Sequence, residues 1–515
     1  MSGKENYYAN HGQIIQDVRR YVKRSKIEQE LLNRTLKDVH GSTNLVGMPR
    51  TGKSSIIYQT YLKNKNEYFA QNKIIIINLS MNEFDDAKQF FLRIAQLIMK
   101  FLKERQIDDD YLNSIYSMMP DSSDIYFELQ MLLEAVRSDI GRIVCIIDEF
   151  DYSQRLFKDY PSGFNKLREL AYQPETDVTF VFVSRRLVRE LVDSVGLTSP
   201  LVNILGSPIY VTPFDEVEFQ EYLDKAADFG LELSDADRTN LMTITGKIPY
   251  LLDLLMYEYC NYDGKMKIKE IYEMKKGTLL EEFNHLSNLL QDQDLLKTLF
   301  MLLAKTEDNL DRAKLKTLTN YGLIIDDKQQ YHFFSKEYQR YLYLKKQMMQ
   351  FDELWKITER KLRNLMAMIL KEIYGQDWEK KILERYSSLL KEANKTKDRM
   401  QRDFIMDNSM YDFQVDFSIV DSTNTSTLFQ LYANEYDFFE PIFKVSYDEF
   451  IRITDDIVKT RNRFAHNNEE VLDPNFIDKV KNEVINLLDR INDYLKYPDN
   501  YPSVKDILYN KLVNL

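Results

Sequence analysis

Thr43-Asn44-Leu45-Val46-Gly47-Met48-Pro49-Arg50-Thr51-Gly52-Lys53-Ser54 decides the fold. Four residues of strand character run into a complete G-x-x-x-x-G-K-[ST] sequence, and helical spacing from Ser54 to Leu62 follows at once. Strand, glycine-bearing loop, helix is the context in which this motif cradles phosphate. Successive backbone N–H groups and a helix N-terminus then point at the ligand. Gly47, Arg50, Thr51, Gly52, Lys53, Ser54 and Ser55 are therefore expected to bind nucleotide. Lys53 would neutralise charge on the β- and γ-phosphates, and the Ser54 hydroxyl would ligate Mg²⁺. Glycine is scarce, 15 in 515 residues, so a chance match in this setting is improbable.

Four further apolar runs lie within the first 215 residues: Lys73 to Ile77, Ile143 to Ile147, Val178 to Val183 and the shorter Ile209-Tyr210-Val211. They are continuous rather than alternating, which predicts strands buried on both faces. Helical segments such as Ala87 to Leu102 separate them, so the alternation reads as βαβ with a parallel sheet between helices. The run at 143–147 ends in Asp148-Glu149, at the strand end where open α/β sheets bind ligands. Asp148 would hold Mg²⁺ through its outer shell, and Glu149 would orient and activate a water against the γ-phosphate. The run at 178–183 ends in Ser184-Arg185-Arg186. There Ser184 could sense the γ-phosphate and Arg185 could clamp it, the other reading being arginines that solvate a strand end.

The chain is 44% hydrophobic and 29% charged, and its 515 residues are too many for one core. Roughly three or four units are expected. Lys plus Arg number 69 against 81 Asp plus Glu, a net charge of −12, which excludes coating nucleic acid by bulk electrostatics. Cys145 and Cys260 stand far apart with no CxxC or Cys/His cluster, so neither a disulfide framework nor a zinc site is supported. The polar start MSGKENYYANHGQ and the lack of a run of about 18 apolar residues predict a soluble, cytoplasmic protein with no membrane partner.

The expected divisions are an α/β nucleotide domain at 1–215, a helical lid at 216–275, a winged helix at 276–345 and an all-helical domain at 346–515. The winged-helix reading rests on helices at Leu295 to Leu303 and Arg312 to Leu318, followed by a hairpin made of 322–327 and 330–334. The polar stretch 421–427 interrupts the last unit.

With these motifs in place, residues 1–345 resemble the AAA+-related P-loop NTPases of the STAND and archaeal-ATPase group. The likeness rests on the P-loop, the Asp148-Glu149 pair, Ser184-Arg185, and a lid bearing Gly246-Lys247-Ile248-Pro249. It implies ATP and Mg²⁺ as cofactors, Arg185 as the sensor arginine and Pro249 as the lid proline packed on adenine. It also implies a switch whose nucleotide state controls assembly. Gly246-Lys247-Ile248-Pro249 departs from the commoner Gly-Gly-x-Pro form.

In the last unit, Phe450, Ile453, Ile457 and Phe464 recur at helical spacing and lead to Arg461-Asn462-x-x-x-His466. That segment resembles the R-x(4–6)-H signature of HEPN ribonucleases, and Leu354 to Tyr374 with Gly375-Gln376-Asp377-Trp378 resembles the opening of such a domain. His466 could then exchange protons with a ribose 2′-OH, Arg461 hold the phosphate and Asn462 orient the imidazole. Arg461 would project about 140° away from His466 on a continuous helix. A kink after Arg461, or a site composed by two subunits, would resolve that. Lys391, Lys395, Lys397, Arg399, Arg402, Lys459 and Arg463 could attract phosphate locally or simply solvate helix faces. Arg34 and His40 also fit R-x(5)-H, with no role assigned.

The leading expectation is an ATP-controlled homo-oligomer, at least a HEPN dimer, that cuts RNA in response to an unknown trigger, as bacterial antiphage effectors do. The alternative is an initiator-like ATPase on DNA in which the C-terminal helices only dimerise. A third reading is a signalling scaffold in which His466 is structural.

Overall fold

The structure is a computed structural model that describes residues 6–194, 200–304, 310–328, 330–407, 418–465 and 474–513. The five apolar runs form β1 (Thr43–Val46), β2 (Ile74–Ser80), β3 (Arg142–Asp148), β4 (Thr179–Ser184) and β5 (Ile209–Tyr210). They pair in the order β2-β3-β4-β1-β5, every pairing parallel. Alternate side chains within each run feed two cores. Ile75, Ile77, Cys145, Ile147, Phe180 and Phe182 pack with the helices Ala87–Glu104, Ile125–Asp139 and Ser162–Tyr172. Ile74, Ile76, Val144, Ile146, Val181 and Val183 join Leu45, Ile56 and Tyr61 on the other face. Burial on both faces is why no polar residue alternates along these strands.

The register then fixes the site. Ser80 pairs with Asp148, Val46 with Ser184 and Ile147 with Phe182, so the ends of four strands fall within one residue of a common level and deliver their following residues to one edge. The segment expected as one helix from Ser54 to Leu62 is an α-helix, Lys53–Ile57, continued by a wider π-turn, Tyr58–Leu62, in which Lys63 N–H bonds the Tyr58 carbonyl at 3.0 Å. Tyr61 in that turn is fully buried, its hydroxyl 2.8 Å from Thr35 Oγ1.

Beyond the sheet come the helices Glu216–Asp228, Asp235–Thr245, Pro249–Asn261 and Ile268–Asp292. Asp215 caps the first through a reciprocal pairing with Glu218. Residues 6–24 return onto this group: Tyr7 stacks on Phe229 at 3.9 Å, and buried Arg20 pairs with buried Asp253 at 2.8 Å. Helices Leu296–Leu303 and Arg312–Asn320 then lead into an antiparallel hairpin, β6 (Ile324–Asp327) with β7 (Gln330–Phe333).

The chain divides into two compact units, Met1–Arg340 and Tyr341–Leu515. The boundaries drawn from sequence at 275/276 and 345/346 fall inside the helices Ile268–Asp292 and Lys336–Tyr374, where periodicity gives no break to read. In the second unit, Trp355, Leu362, Met366, Tyr432, Phe450 and Ile457 are core residues contributed by the helices Lys336–Tyr374, Thr425–Asn434 and Tyr447–Ala465. The polar stretch at 421–427 is a helix start: Asn424 Oδ1 accepts from Thr427 N–H at 2.8 Å. Among the described residues no helix is long and apolar enough to cross a membrane.

Asn44 carries a buried amide inside the sheet, where Thr43, Thr179 and Ser184 are buried as well. Its amide donates to the Phe182 carbonyl at 3.0 Å and Ser184 Oγ at 2.9 Å, and its oxygen accepts from Val188 N–H at 3.1 Å. Asn44→Leu keeps the branching at Cγ, though it is somewhat larger, and strands these groups, at a cost of about 2 kcal/mol or more. Amide exchange of β1 and β4 in the full chain should accelerate by about 30-fold. Exchange unchanged from the parent would show that the Asn44 bonds do not hold β1 to β4.

Candidate functional site

The loop from Gly47 to Gly52 is held by contacts that only its own residues permit. A Cβ on Gly47 would lie 2.6 Å from the Val211 carbonyl, so glycine alone fits there. Gly52 opens the helix Lys53–Ile57 with φ +95°. Thr51, buried, donates its hydroxyl to the Met48 carbonyl at 2.9 Å and braces the turn. Lys53 curls under the loop and donates to the carbonyls of Gly47 (2.7 Å) and Met48 (2.9 Å). Burial of its ammonium pushes the Lys53 pKa down to about 8, against the pull of Asp148, Asp151 and Glu149.

The acids stand opposite. Ser54 Oγ donates to Asp148 Oδ2 at 3.2 Å. A hydroxyl and a carboxylate are hard oxygen donors of the kind Mg²⁺ prefers, so the pair fits the ion. When bound, Mg²⁺ would neutralise phosphate charge beside Lys53. Glu149 follows in a left-handed conformation, φ 53°, and its carboxylate accepts from Ser80 Oγ at 2.8 Å. Ser80 is the last residue of β2, in register with Asp148, and it decides where the Glu149 carboxylate rests.

The sensor positions come to the same edge with divided roles. Ser184 is buried, and its hydroxyl bonds the Arg186 carbonyl at 2.6 Å while accepting from Asn44, so it shapes the strand end. Arg185 donates its backbone N–H to Asp151 Oδ2 at 2.8 Å and keeps Nε 3.6 Å from the same oxygen. Asp151 thus holds Arg185 beside the loop, where both Arg185 and Arg50 line one cavity.

Pro249 begins the helix Pro249–Asn261 and lines two adjoining cavities together with Gly52, Ser55 and Ile15. The outer cavity, about 220 Å³, is walled by residues 12–15, Lys53 and Ser54. The inner one, about 30 Å³, is closed by Tyr21, Val22, Phe214 and Tyr222. Ser55 accepts from Ile15 N–H at 3.0 Å, and Gln59 donates to the Ile15 and Gln16 carbonyls. The apolar chamber beside the phosphate loop therefore has the N-terminal segment as one wall and Pro249 as the other.

Sequence reading missed the N-terminal wall, Ser80 and Asp151. The signals available for them were faint: isolated Ile14-Ile15 and Tyr21-Val22, a serine closing a strand, and a second acid two residues after Glu149.

In the second unit, Arg461 is half-buried and Asn462 exposed on the helix Tyr447–Ala465. That helix is continuous through Ala465, past the point after Arg461 where a kink is one of the two expectations; Ile453, Ile457 and Thr460, all buried, keep its inner face in the core. His466 lies outside the described residues. Of the basic residues expected to attract phosphate, Lys395 pairs with Glu392 at 2.9 Å and Lys397 with Glu379 at 2.6 Å.

The lowered Lys53 pKa gives a pH dependence with a definite sign. Phosphate binds the ammonium form, so affinity for a triphosphate should be flat below about pH 8 and weaken above it as Lys53 loses its proton. Titration with a fluorescent ATP analogue from pH 7 to 9.5 measures this. An affinity constant across that range would show that Lys53 is not neutralised in the empty loop.

The AAA-like domain family matches residues 9–344, well over half of the chain. No curated protein sequence matches it. Among solved structures, the Walker-type ATPase of Pyrococcus abyssi is similar at 16% identity and TM-score 0.44, covering 62% of this chain and 96% of that one. The Aeropyrum pernix ORC1 protein in complex with DNA is similar at 12% identity and TM-score 0.38, covering 66% of this chain and 96% of that one. Cdc6p from Pyrobaculum aerophilum is similar at 14% identity and TM-score 0.35, covering 66% and 97%. With its strand-loop-helix motif and acid pair in place across that span, the chain belongs to the AAA-like domain family.

Proposed function

We propose that the protein binds and hydrolyses ATP with Mg²⁺ as a conformational switch. The observation that carries this is the Ser54–Asp148 hydrogen bond of 3.2 Å, set beside Lys53 at the edge where four strands end. Loop amides and Lys53 would hold the β- and γ-phosphates, and Arg185 would meet the γ-phosphate. The cavity of about 220 Å³ between Pro249 and Ile15 would take the base. Glu149, turned from Ser80, would accept the proton of an attacking water.

The output of this switch, on our reading, is the C-terminal helical unit acting as a HEPN-type ribonuclease in an assembled oligomer, the arrangement of an antiphage effector. Support comes from the Arg461-Asn462-x-x-x-His466 sequence and the half-buried placement of Arg461 at the end of an amphipathic helix. A composite site from two subunits fits that helix better than a kink, since the helix is unbroken. A second reading, an initiator-like ATPase on DNA, draws on the groove between the helix Arg312–Asn320 and the hairpin, lined by Arg312, Lys316, Asn320 and Tyr331. Asp326 in the same groove and the net charge of −12 weigh against it.

Lys53→Ala should abolish binding of a labelled ATP analogue, while Glu149→Gln should keep binding and stop hydrolysis. Parental turnover in Glu149→Gln would remove Glu149 as the base. For the nuclease, RNA products should carry 2′,3′-cyclic phosphate and 5′-OH ends, and EDTA added after assembly should not stop cutting. His466→Ala and Arg461→Ala should each lose about 10²-fold or more. RNA left intact by the assembled protein, with duplex DNA bound instead, would decide for the initiator-like reading.

A further inference from the structure

The side chain of Arg50 leaves the phosphate loop. Its backbone is left-handed, φ 66°, and its Nε lies 2.8 Å from Glu282 Oε2. Its guanidinium carbon sits 3.8 Å from the centre of the Tyr250 ring. Tyr250 belongs to the helix Pro249–Asn261 and Glu282 to the helix Ile268–Asp292, so one loop residue is fastened to two helices from the far part of the unit.

Arg50 also stands between two spaces. It lines the cavity of about 220 Å³ that holds Lys53 and Ser54, and equally the cavity of about 220 Å³ that it shares with Arg185, Glu282 and His285. The pair with Glu282 is solvent-accessible on the arginine side, 42% against 19%, which makes it an exchangeable contact rather than a locked one. A triphosphate entering the first cavity brings several negative charges within reach of the same guanidinium. Arg50 Nε is committed to Glu282, and a guanidinium drawn onto the phosphates would turn that N–H away from the carboxylate.

We propose that Glu282 is a latch acid: it competes with the nucleotide's phosphates for Arg50, so that filling the loop frees the helix Ile268–Asp292 and holding the helix weakens nucleotide binding. The inference rests on the reading of the loop as a nucleotide site. Linkage makes the two effects one quantity, because whatever the carboxylate subtracts from nucleotide affinity the nucleotide subtracts from the latch. The helix has somewhere to send the change. Phe283, next to Glu282, packs against Tyr338 with ring centroids 5.3 Å apart, and the helix ends at Asp292 just before Leu296–Leu303. Tyr250 would keep Arg50 close in either position by its ring face.

The test uses the full chain and a fluorescent ATP analogue. Parent binding together with lost binding in Lys53→Ala secures the loop as the site; failure of the parent to bind would sink that reading and the latch with it. Given that control, Glu282→Gln should bind the analogue about three- to fivefold more tightly, with the gain shrinking at high salt. In an Arg50→Gln background the same Glu282→Gln change should have no effect on affinity. Amide exchange over 275–290 should rise when the parent is saturated and stay constant in Arg50→Gln. Equal tightening in both backgrounds would mean that Glu282 merely repels the nucleotide, and unchanged affinity in Glu282→Gln would mean that it does not compete. Either result overturns the latch.

Discussion

The register of the parallel sheet is the constraint on which everything else at the site depends. Ser80 against Asp148, Val46 against Ser184 and Ile147 against Phe182 end four strands within one residue of a common level. Each strand is buried on both faces, so its polar chemistry has only its C-terminal end in which to appear. A one-residue slip of β3 would turn Asp148 into a core and remove it from Ser54. Asn44 guards against that between β1 and β4, because its amide bonds are satisfied only when Phe182, Ser184 and Val188 stand where they do. The sheet thus sets the distance between the phosphate loop and the acids before any ligand arrives.

What could be read from the sequence follows from how local its cause is. Continuous apolar runs revealed all five strands of the sheet, since burial on both faces is written into consecutive residues. The loop was legible because only glycine fits at Gly47 and Gly52, and because Lys53 and Ser54 follow at fixed spacing. The N-terminal wall was not legible: Arg20 finds Asp253, and Ile15 finds Ser55, only when distant segments fold together. Ser80 was invisible for a related reason, being an ordinary strand-ending serine until register brings it to Glu149. The divisions drawn at 275/276 and 345/346 lie inside the helices Ile268–Asp292 and Lys336–Tyr374, which cross them without a change of pattern; the boundary between the two compact units, 340/341, lies in the second of these helices as well.

Ser184 has partners that a local reading does not supply. A polar residue at the end of β4 suggests contact with phosphate, yet its hydroxyl is spent on the Arg186 carbonyl and the Asn44 amide. Buried hydroxyls take the nearest backbone partner, since an unpaired one costs about 1–3 kcal/mol. The charge beside it tells more. Asp151 takes the Arg185 backbone and sits within 4 Å of both Arg185 and Arg186, so the strand end presents cations whose positions an acid dictates.

That pattern recurs around the loop and explains how an acidic protein keeps a site for a polyanion. Lys53 is tied to the carbonyls of Gly47 and Met48, Arg185 to Asp151, and Arg50 to Glu282. Each cation has an internal acceptor, so an empty site carries little unpaired positive charge and the fold does not suffer from it. The acceptors differ in strength: two carbonyl dipoles for Lys53, a nearly buried carboxylate for Arg185, a partly solvated one for Arg50. On the proposed nucleotide reading, a phosphate group would displace the weak acceptors first. Lys53 has the most to gain, since burial already holds its proton loosely and a neighbouring anion restores it. Arg185 would lose little by the exchange, since Asp151 also bonds its backbone and need not let go for the side chain to reach outward. Selectivity for a polyphosphate would then follow from summing several small exchanges at once, which a single anion could not complete.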